Sequence, residues 1–338
     1  MDDATASRRV DEARRGDDAL GRVRPTGTPP DGLAGGAIEC GHAAEASAAR
    51  RHRWAYLTDL SDAEYACLEP YLPPPQARGR PRLHDLREIV DAVFYIARSG
   101  CAWRLLPHEF PPWQTIYHYF RLWRLDGTWE RIHTALRERL RSALGRNPQP
   151  SAAILDSQSV RTSVVGGVRG YDGAKKINGR KRHVLVDTLG LVLKATVHAA
   201  DIQDRAAVPR VLDGLASLFP RVEHVWVDQG YTGSGKSWIE EHLGWRVEVV
   251  QHAPLRRSGL LGRPDPISPY GVRLEYIRLP AQRGFRGPLP RRWVVERTFA
   301  WFCHSRRFSR DYERLCATGE ALIYIAMERL MLRRLAHL

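Results

Sequence analysis

The spacing of apolar residues changes near Ser151, and this change limits the chain to a two-part architecture. Before it, apolar residues recur every three or four positions, as along 129–144, which is typical of amphipathic helices. After it, short apolar runs such as 152–155 and 192–197 are typical of strands. We therefore predict an α/β protein: a small all-α, helix-turn-helix-like domain followed by a mixed sheet with flanking helices.

The predicted boundaries divide the 338 residues into three segments. Residues 1–53 have no long apolar period and are rich in Ala, Arg, Gly and Pro, so we expect an extension without stable structure. The helical domain is expected over 54–146. The α/β domain is expected over 147–338.

The chain is strongly basic, with a formal net charge of +14. Nine arginines balance nine acidic residues in 1–53, so the whole excess lies on 54–338. A basic folded region indicates a polyanionic partner, most often nucleic acid. The alternative is a basic protein that has no such partner.

Other classes of protein are disfavoured by composition. No apolar run approaches the length of a membrane span, and the charged N-terminus does not resemble a secretory signal. The five cysteines include no Cys-x-x-Cys pair, which argues against a zinc ribbon. Their odd number and wide spacing are typical of a reducing cytoplasm.

Three acidic residues occupy positions from which their carboxylates could meet. Asp156 and Asp228 each follow a buried apolar run, and Glu296 lies on a helix predicted over 291–306. If the two strands are neighbours in the sheet, both aspartates reach the same edge. The helix, packed across that edge, would bring in the glutamate.

Three carboxylates brought together repel one another unless cations neutralise them. Mg²⁺ or Mn²⁺ suits such oxygen ligands, and two ions about 3.5–4 Å apart form a common centre for phosphodiester chemistry. Taken singly, each acid is more typical of a cap or a turn than of a metal ligand. Asp187, which precedes Thr188-Leu189-Gly190, is such a turn residue, and Asp201 and Asp204 are candidate helix caps.

A series of short motifs follows in order along the chain. They are Asp59-Leu60-Ser61-Asp62, Gly79-Arg80-Pro81, Gly100-Cys101-Ala102-Trp103-Arg104-Leu105-Leu106-Pro107, Leu155-Asp156-Ser157-Gln158-Ser159-Val160, Gly170-Tyr171-Asp172-Gly173, Gly179-Arg180-Lys181-Arg182-His183, Asp187-Thr188-Leu189-Gly190, Asp228-Gln229-Gly230-Tyr231 and Val295-Glu296-Arg297-Thr298-Phe299-Ala300-Trp301. Over about residues 55–335 the chain thereby resembles bacterial insertion-sequence transposases of the DDE type, in the insertion-sequence-five group.

The resemblance implies an RNase H-like catalytic domain with Asp156, Asp228 and Glu296 as its metal-binding triad. It also implies an N-terminal helical domain that binds the ends of the element. Some relatives carry a Tyr-x2-Arg-x3-Glu-x6-Lys signature, of which Arg292 and Glu296 are present. Leu289 and Cys303 stand at the Tyr and Lys positions, and the nearby candidates for the Lys role are His304, Arg306 and Arg307.

The expected activity is that of a DNA transposase using two Mg²⁺ or Mn²⁺ ions. Water would cleave the element ends, and the released 3′-hydroxyl would attack target DNA. The expected partners are the terminal inverted repeats, target DNA and further copies of the chain as a homo-oligomer, at the bacterial nucleoid in the cytoplasm. The alternatives are a catalytically decayed, sequence-specific DNA-binding protein and a metal nuclease without a joining step.

Three segments are candidates for DNA contact. We predict a flexible phosphate-binding arm, a minor-groove hook and a recognition helix near Trp113–Arg124, with Arg292 as a further phosphate contact. The arm and the hook are also compatible with a solvated charge run and a plain linker. The predicted contacts are Lys175, Lys176, Arg180, Lys181 and Arg182 in the arm, Arg78 and Arg80 in the hook, and Gln114, His118 and Arg121 on the helix.

The stretch Gly230–Ser237 also satisfies the phosphate-binding pattern Gly-x4-Gly-Lys-Ser, between a predicted strand and a predicted helix. A P-loop nucleotide-binding protein is therefore an alternative. Three features argue against it. The helix that follows is short, the next strand, 246–250, lacks a magnesium-binding aspartate, and Asp228 already belongs to the acidic cluster.

Overall fold

The structure, a computed structural model, describes residues 56–74, 82–250, 259–267, 269–277 and 291–338. The predicted extension 1–53, both arginines of the predicted hook (Arg78 and Arg80) and Leu289 lie outside these ranges. The division into three segments therefore stays a prediction. No helix in the described ranges is long and apolar enough to cross a membrane.

Helices precede the sheet, as the apolar spacing predicts. They are α1 (Asp62–Leu68), α2 (Leu86–Ser99), α3 (Trp113–Leu125) and α4 (Thr128–Ala143). Ser61 and Glu64 form a capping box at the start of α1, and Asp85 caps α2. Gly100 ends α2 in a left-handed conformation (φ 73°), which favours glycine.

Both strands and helices occur after residue 151. The strands are β1 (Ala152–Arg161), β2 (Gly170–Asp172), β3 (Ile177–Asp187), β4 (Val192–Ala199), β5 (His224–Val227), β6 (Arg246–Val249), β7 (Gly259–Pro264) and β8 (Val272–Ile277). The helices are α5 (Asp204–Leu212), α6 (Leu215–Leu218), α7 (Ser234–Leu243), α8 (Trp293–Cys303) and α9 (Cys316–Leu335).

The main sheet is mixed, which confirms the predicted fold class. Its strand order is β2-β3-β1-β5-β6, with β4 also paired to β3. β1 runs antiparallel to β3 and parallel to β5, and β5 runs parallel to β6. A separate hairpin, β7–β8, lies in a region that the sequence predicts to be loop-rich.

Apolar layers cover both faces of the main sheet, because alternate residues of a strand face opposite sides. One layer contains Ile154 and Val186 and packs under α1–α4, α8 and α9. The other contains Leu155 and Leu185 and packs under α5 and α7. The N-terminal helices thus share a core with the sheet, and α9 packs against α1, α2 and α4.

One carboxyl group inside this core lacks a hydrogen-bond partner. Glu328 of α9 is fully buried, and neither of its oxygens is hydrogen-bonded within the described residues. Burial raises the pKa of Glu328 well above its ordinary value. The folded protein therefore keeps a proton on this carboxyl over a pH range in which the unfolded chain, with a Glu pKa of about 4.3, has already released it.

We predict that Glu328→Gln stabilises the protein, and more so as the pH rises. The stability that the protonated carboxyl contributes is fully present below the pKa of this group in the unfolded chain. It decreases as the pH rises towards the higher pKa of the group in the folded protein. Urea unfolding between pH 5 and 8 measures the difference, which should reach about 1–3 kcal/mol. The exposed Glu241→Gln is the control. An equal and pH-independent effect of both substitutions would contradict the prediction.

Candidate active site

The register of β1 on β5 brings two aspartates side by side. β1 continues to Arg161, so Asp156 lies inside the strand. The prediction that Asp156 ends this strand is therefore wrong. The parallel pairing runs up to Ile154 opposite Trp226. Two residues further along each strand, the same register places Asp156 beside Asp228, just beyond the end of β5.

Both aspartates face the same side of the sheet. Asp156 shares the face of Ile154, and Asp228 the face of Trp226, because side chains alternate along a strand. Ile154 and Trp226 belong to the apolar layer beneath α8. The alternation of the two strands therefore directs both carboxylates towards α8.

Helix α8 is held against the turn between β3 and β4. The Thr298 hydroxyl donates to the Gly190 carbonyl at 2.8 Å, and Arg297 donates to the Leu189 carbonyl at 2.8 Å. This docking brings the N-terminal end of α8 next to β1. Arg292 and Glu296, one helical turn apart, consequently lie beside the aspartates.

A single nitrogen atom lies among the three acids. Arg292 Nη2 is 3.2 Å from Asp156 Oδ2, 3.9 Å from Asp228 Oδ2 and 3.9 Å from Glu296 Oε1. The side chains of the acids are 10%, 29% and 52% exposed in that order. The structure therefore brings together the three acids that the sequence proposes, at an opening from the core to solvent.

Burial and charge act against each other at this cluster. Burial raises the pKa of Asp156 to about 6, although Arg292 and the Ser157 amide lower it. Partial burial lowers the pKa of Arg292, but the carboxylates around it outweigh this effect and raise the pKa above its ordinary value. The cluster thus depends on a neighbouring positive charge to keep Asp156 ionised at neutral pH.

The donor atoms fit a hard divalent cation, because all three side chains offer carboxylate oxygens. In the described ranges, however, no group of three His, Cys, Asp or Glu side chains is close enough together to hold a metal ion. The ligand chemistry is present, but the carboxylates are gathered around an arginine.

A buried polar group supports the turn that carries Asp228. The Tyr231 hydroxyl is 3.0 Å from His183 Nδ1, and both side chains are fully buried. On the other side of the ring, His183 Nε2 lies 3.5 Å from Asp204 Oδ1. Asp204 also accepts a hydrogen bond from Ser157, next to Asp156.

Local sequence signals do not reveal this supporting network. Asp204 has the pattern of a helix cap, but Gln203 is the N-cap of α5 and the Asp204 carboxylate faces β1 and β3. Tyr231 and His183 are distant in sequence. Tyr231 follows the apolar run of β5 by four residues, and this proximity to Asp228 is the one signal that points to it.

The predicted flexible arm is wrong over its second half. Residues 177–187 form β3, and Arg180, Lys181 and Arg182 are all buried. Arg180 donates to Asp311 and to the carbonyls of residues 168, 313 and 314, and Arg182 to those of 308 and 310. Lys181 is 3.1 Å from Asp204. The three cations are thus engaged in contacts within the protein, which disfavours their predicted role as phosphate contacts on a flexible arm.

The remaining predicted contacts are at the surface. Lys175 and Lys176 lie on the exposed turn between β2 and β3, and Lys175 Nζ is 3.3 Å from the Ser157 carbonyl. Gln114, His118 and Arg121 are exposed on α3. Their roles stay predictions.

Burial argues against one of the three candidates for the Lys role, which are His304, Arg306 and Arg307. Arg307 is buried and paired with Glu313 at 2.6 Å. His304 and Arg306 are exposed near the end of α8. A contact of Arg307 with DNA is therefore disfavoured, whereas the other two side chains are free to approach it.

The Gly-x4-Gly-Lys-Ser stretch does not form a phosphate-binding loop. The amide of Gly230 donates to Asp228 Oδ1 at 2.8 Å, and the amides of Tyr231 and Thr232 also donate within this turn. A P-loop requires backbone amides that point at the bound phosphate, whereas these amides are already hydrogen-bonded within the turn. Lys236 Nζ lies 3.6 Å from Glu240 on the same helix.

We predict that Tyr231→Phe destabilises the protein by about 1–3 kcal/mol, because it leaves a buried His183 nitrogen without a partner. Urea unfolding measures the loss. Tyr171→Phe, at an exposed tyrosine, should change stability by less than about 0.5 kcal/mol. Equal effects at the two tyrosines would show that the buried hydrogen bond contributes nothing.

Comparison with known proteins agrees with this geometry. Residues 147–330 match the model of the transposase DDE domain, and residues 60–133 match that of transposases of the IS4/5 family. The chain is also similar to the insertion element IS402 uncharacterized 16.2 kDa protein of Burkholderia cepacia, at 31% identity over 114 residues, which are 32% of this chain and 76% of that protein. The predicted resemblance is thereby confirmed. The DDE match covers more than half of the chain, which therefore belongs to the DDE transposases of the IS4/5 family, metal-dependent enzymes that cleave DNA.

Proposed function

We propose that Asp156, Asp228 and Glu296 hold two Mg²⁺ or Mn²⁺ ions and that this centre both cleaves element ends and joins them to target DNA. The observation that carries the proposal is the approach of one oxygen from each acid to within 3.9 Å of a single point, Arg292 Nη2. When bound, a metal pair would activate the attacking oxygen and stabilise the leaving one.

The three acids differ in how firmly they are held. Asp156 Oδ1 accepts the Ser157 amide at 2.7 Å, and Asp228 Oδ1 accepts the Gly230 amide at 2.8 Å. In each aspartate the other oxygen, Oδ2, faces Arg292. Glu296 is the most exposed of the three. We infer two fixed ligands and one that adjusts to the substrate.

We propose that Lys175 contacts a phosphate of the DNA near Asp156. Its ammonium group lies against the carbonyl of Ser157, the residue after Asp156, on an otherwise exposed turn. Lys176 is next to it and also exposed. Arg292 and Lys175 would then contact the DNA backbone close to the scissile bond.

The exposed face of α3 is the proposed reader of the terminal inverted repeats. Gln114, His118 and Arg121 lie on it, and side chains of these types read base edges and phosphates. Joining two ends to one target requires two copies of the active site. We therefore propose a homo-oligomer assembled on the element ends and target DNA at the nucleoid.

We predict that Asp228→Asn lowers cleavage and joining by a factor on the order of a thousand or more, with little loss of end binding, because the neutral amide is a poor metal ligand. Labelled DNA carrying the terminal repeats, incubated with Mg²⁺ or Mn²⁺, measures both steps. The exposed Asp213→Asn carries the same charge change and should stay active.

The same assay separates the alternatives. End binding by the unmodified protein without any metal-dependent cleavage would favour a decayed DNA-binding protein. Cleavage without joining would favour a nuclease. Full activity of the Asp228→Asn variant would contradict the assignment of the triad.

We predict that Arg121→Gln and Lys176→Gln weaken DNA binding in different ways. A phosphate contact by Lys176 should reduce the affinity for all sequences and lower the salt slope by about 0.9. A base contact by Arg121 should reduce the preference for the terminal repeats over random DNA by about 1–3 kcal/mol. Binding titrations at several salt concentrations measure both, and identical behaviour of the two variants would contradict the assignment.

A further inference from the structure

Arg292 is held in the acidic cluster by charge and by few hydrogen bonds. Its one hydrogen bond to the cluster is to Asp156 at 3.2 Å, whereas Asp228 and Glu296 lie at 3.9 Å. Its Nε is buried and has no hydrogen-bond partner among the described residues. The side chain is therefore incompletely satisfied where it lies.

Arg180, which is fully buried, is an arginine whose guanidinium is fixed by hydrogen bonds in this fold. Arg180 donates four hydrogen bonds of 2.7–3.0 Å, and all three of its nitrogens take part. Three of its acceptors are backbone carbonyls, which cannot move away without unfolding a segment. Arg292 has no comparable set of hydrogen bonds to the part of the chain that the structure describes, so its release from the cluster should cost less.

The guanidinium and a divalent ion compete for the same oxygens. An ion such as Mg²⁺ needs carboxylate oxygens at about 2.0–2.1 Å, and Mn²⁺ binds the same kind of hard oxygen ligand. The Nη2 atom lies within 3.9 Å of an oxygen of each acid, in the space that an ion shared by the three would have to enter. The two cations cannot occupy this position together, and each removes the repulsion among the acids.

We infer that Arg292 is the built-in counter-ion of the three carboxylates when no divalent ion is bound, and that it must leave the cluster for metal to enter. This inference rests on the proposed role of the acids as metal ligands. The displaced guanidinium, still tethered at the start of α8, then becomes available to a DNA phosphate. Metal loading and phosphate binding by Arg292 are thereby coupled.

Two opposite effects follow from removal of this charge. The protein without divalent ions loses stability, because the three carboxylates repel one another. Metal binding becomes tighter, because the ion no longer competes with a guanidinium. An arginine that merely braces the site would give weaker metal binding when it is removed.

The test is a Mn²⁺ titration of the full chain without DNA, in which electron paramagnetic resonance measures the concentration of free Mn²⁺ at each step. Arg292→Gln should bind Mn²⁺ on the order of tenfold more tightly than the unmodified protein. Arg292→Lys keeps a charge and should stay within about threefold of it. If Arg292→Gln does not fold, Arg292→Met removes the same charge at similar volume and should show the same tightening.

Arg291→Gln is the matched control. Arg291 precedes Arg292 in the sequence, and its guanidinium lies over the ring of Trp226, 5.2 Å from the ring centroid. Its removal changes the net charge equally and should alter Mn²⁺ affinity by less than about twofold. Thermal unfolding should show a lower melting temperature for Arg292→Gln, with the loss recovered on addition of Mn²⁺.

Asp228→Asn distinguishes a failure of the proposed metal site from a failure of the counter-ion role of Arg292. If this variant weakens Mn²⁺ binding but Arg292→Gln leaves it unchanged or weakens it, the acids hold metal and the counter-ion inference is overturned. If Asp228→Asn leaves Mn²⁺ binding unchanged, the proposed metal site itself fails, and the inference fails with it. Equal tightening by Arg291→Gln and Arg292→Gln would reduce the effect to net charge and also overturn the inference.

Discussion

The parallel pairing of β1 with β5 is the constraint on which the site depends. It holds Ile154 opposite Trp226, and the same register two residues later brings Asp156 beside Asp228. A shift of one residue would turn one of the two carboxylates to the opposite face. The apolar layers on both faces fix this register, because Leu155 and Val227 must enter one layer and Ile154 the other.

The positive charge of the chain has two different uses. Arg180 and Arg182 connect β3 to the carbonyl groups of residues 308–314, between α8 and α9. These buried side chains help to hold the last two helices against the sheet. The net charge of +14 therefore overstates the charge that faces DNA. The exposed part includes Lys175 and Lys176 on the turn between β2 and β3 and Arg121 on α3.

Local signals were sufficient for the boundaries of the first helices and for selecting the three acids as candidates. The capping box at Ser61 and the glycine at the end of α2 define helix boundaries through contacts within a few residues. Asp187 is confirmed as a turn residue, because its carboxylate accepts the amides of Leu189 and Leu191. Apolar runs next to single acids were enough to identify Asp156 and Asp228.

Long-range contacts decided what the sequence could not predict. β1 extends through Ser157 and Ser159 because it pairs with β3 as far as Arg161 opposite Gly179, and the two hydroxyls bond to Asp204 and Asp172. The run at 180–182 has the pattern of a solvated arm, yet carbonyls more than a hundred residues away accept hydrogen bonds from its two arginines. No local period reports such partners. The position of Arg292 among the acids is of the same kind.

The central claim is that the three carboxylates act together as the ligands of one metal centre. The most direct test replaces each of Asp156, Asp228 and Glu296 by cysteine and compares DNA cleavage in Mg²⁺ and Mn²⁺. Thiolate is a poor ligand for Mg²⁺ and a better one for Mn²⁺. We expect each variant to be inactive in Mg²⁺ and partly restored in Mn²⁺. Equal activity of a variant in the two metals, at the level of the unmodified protein, would contradict the role of that residue as a ligand.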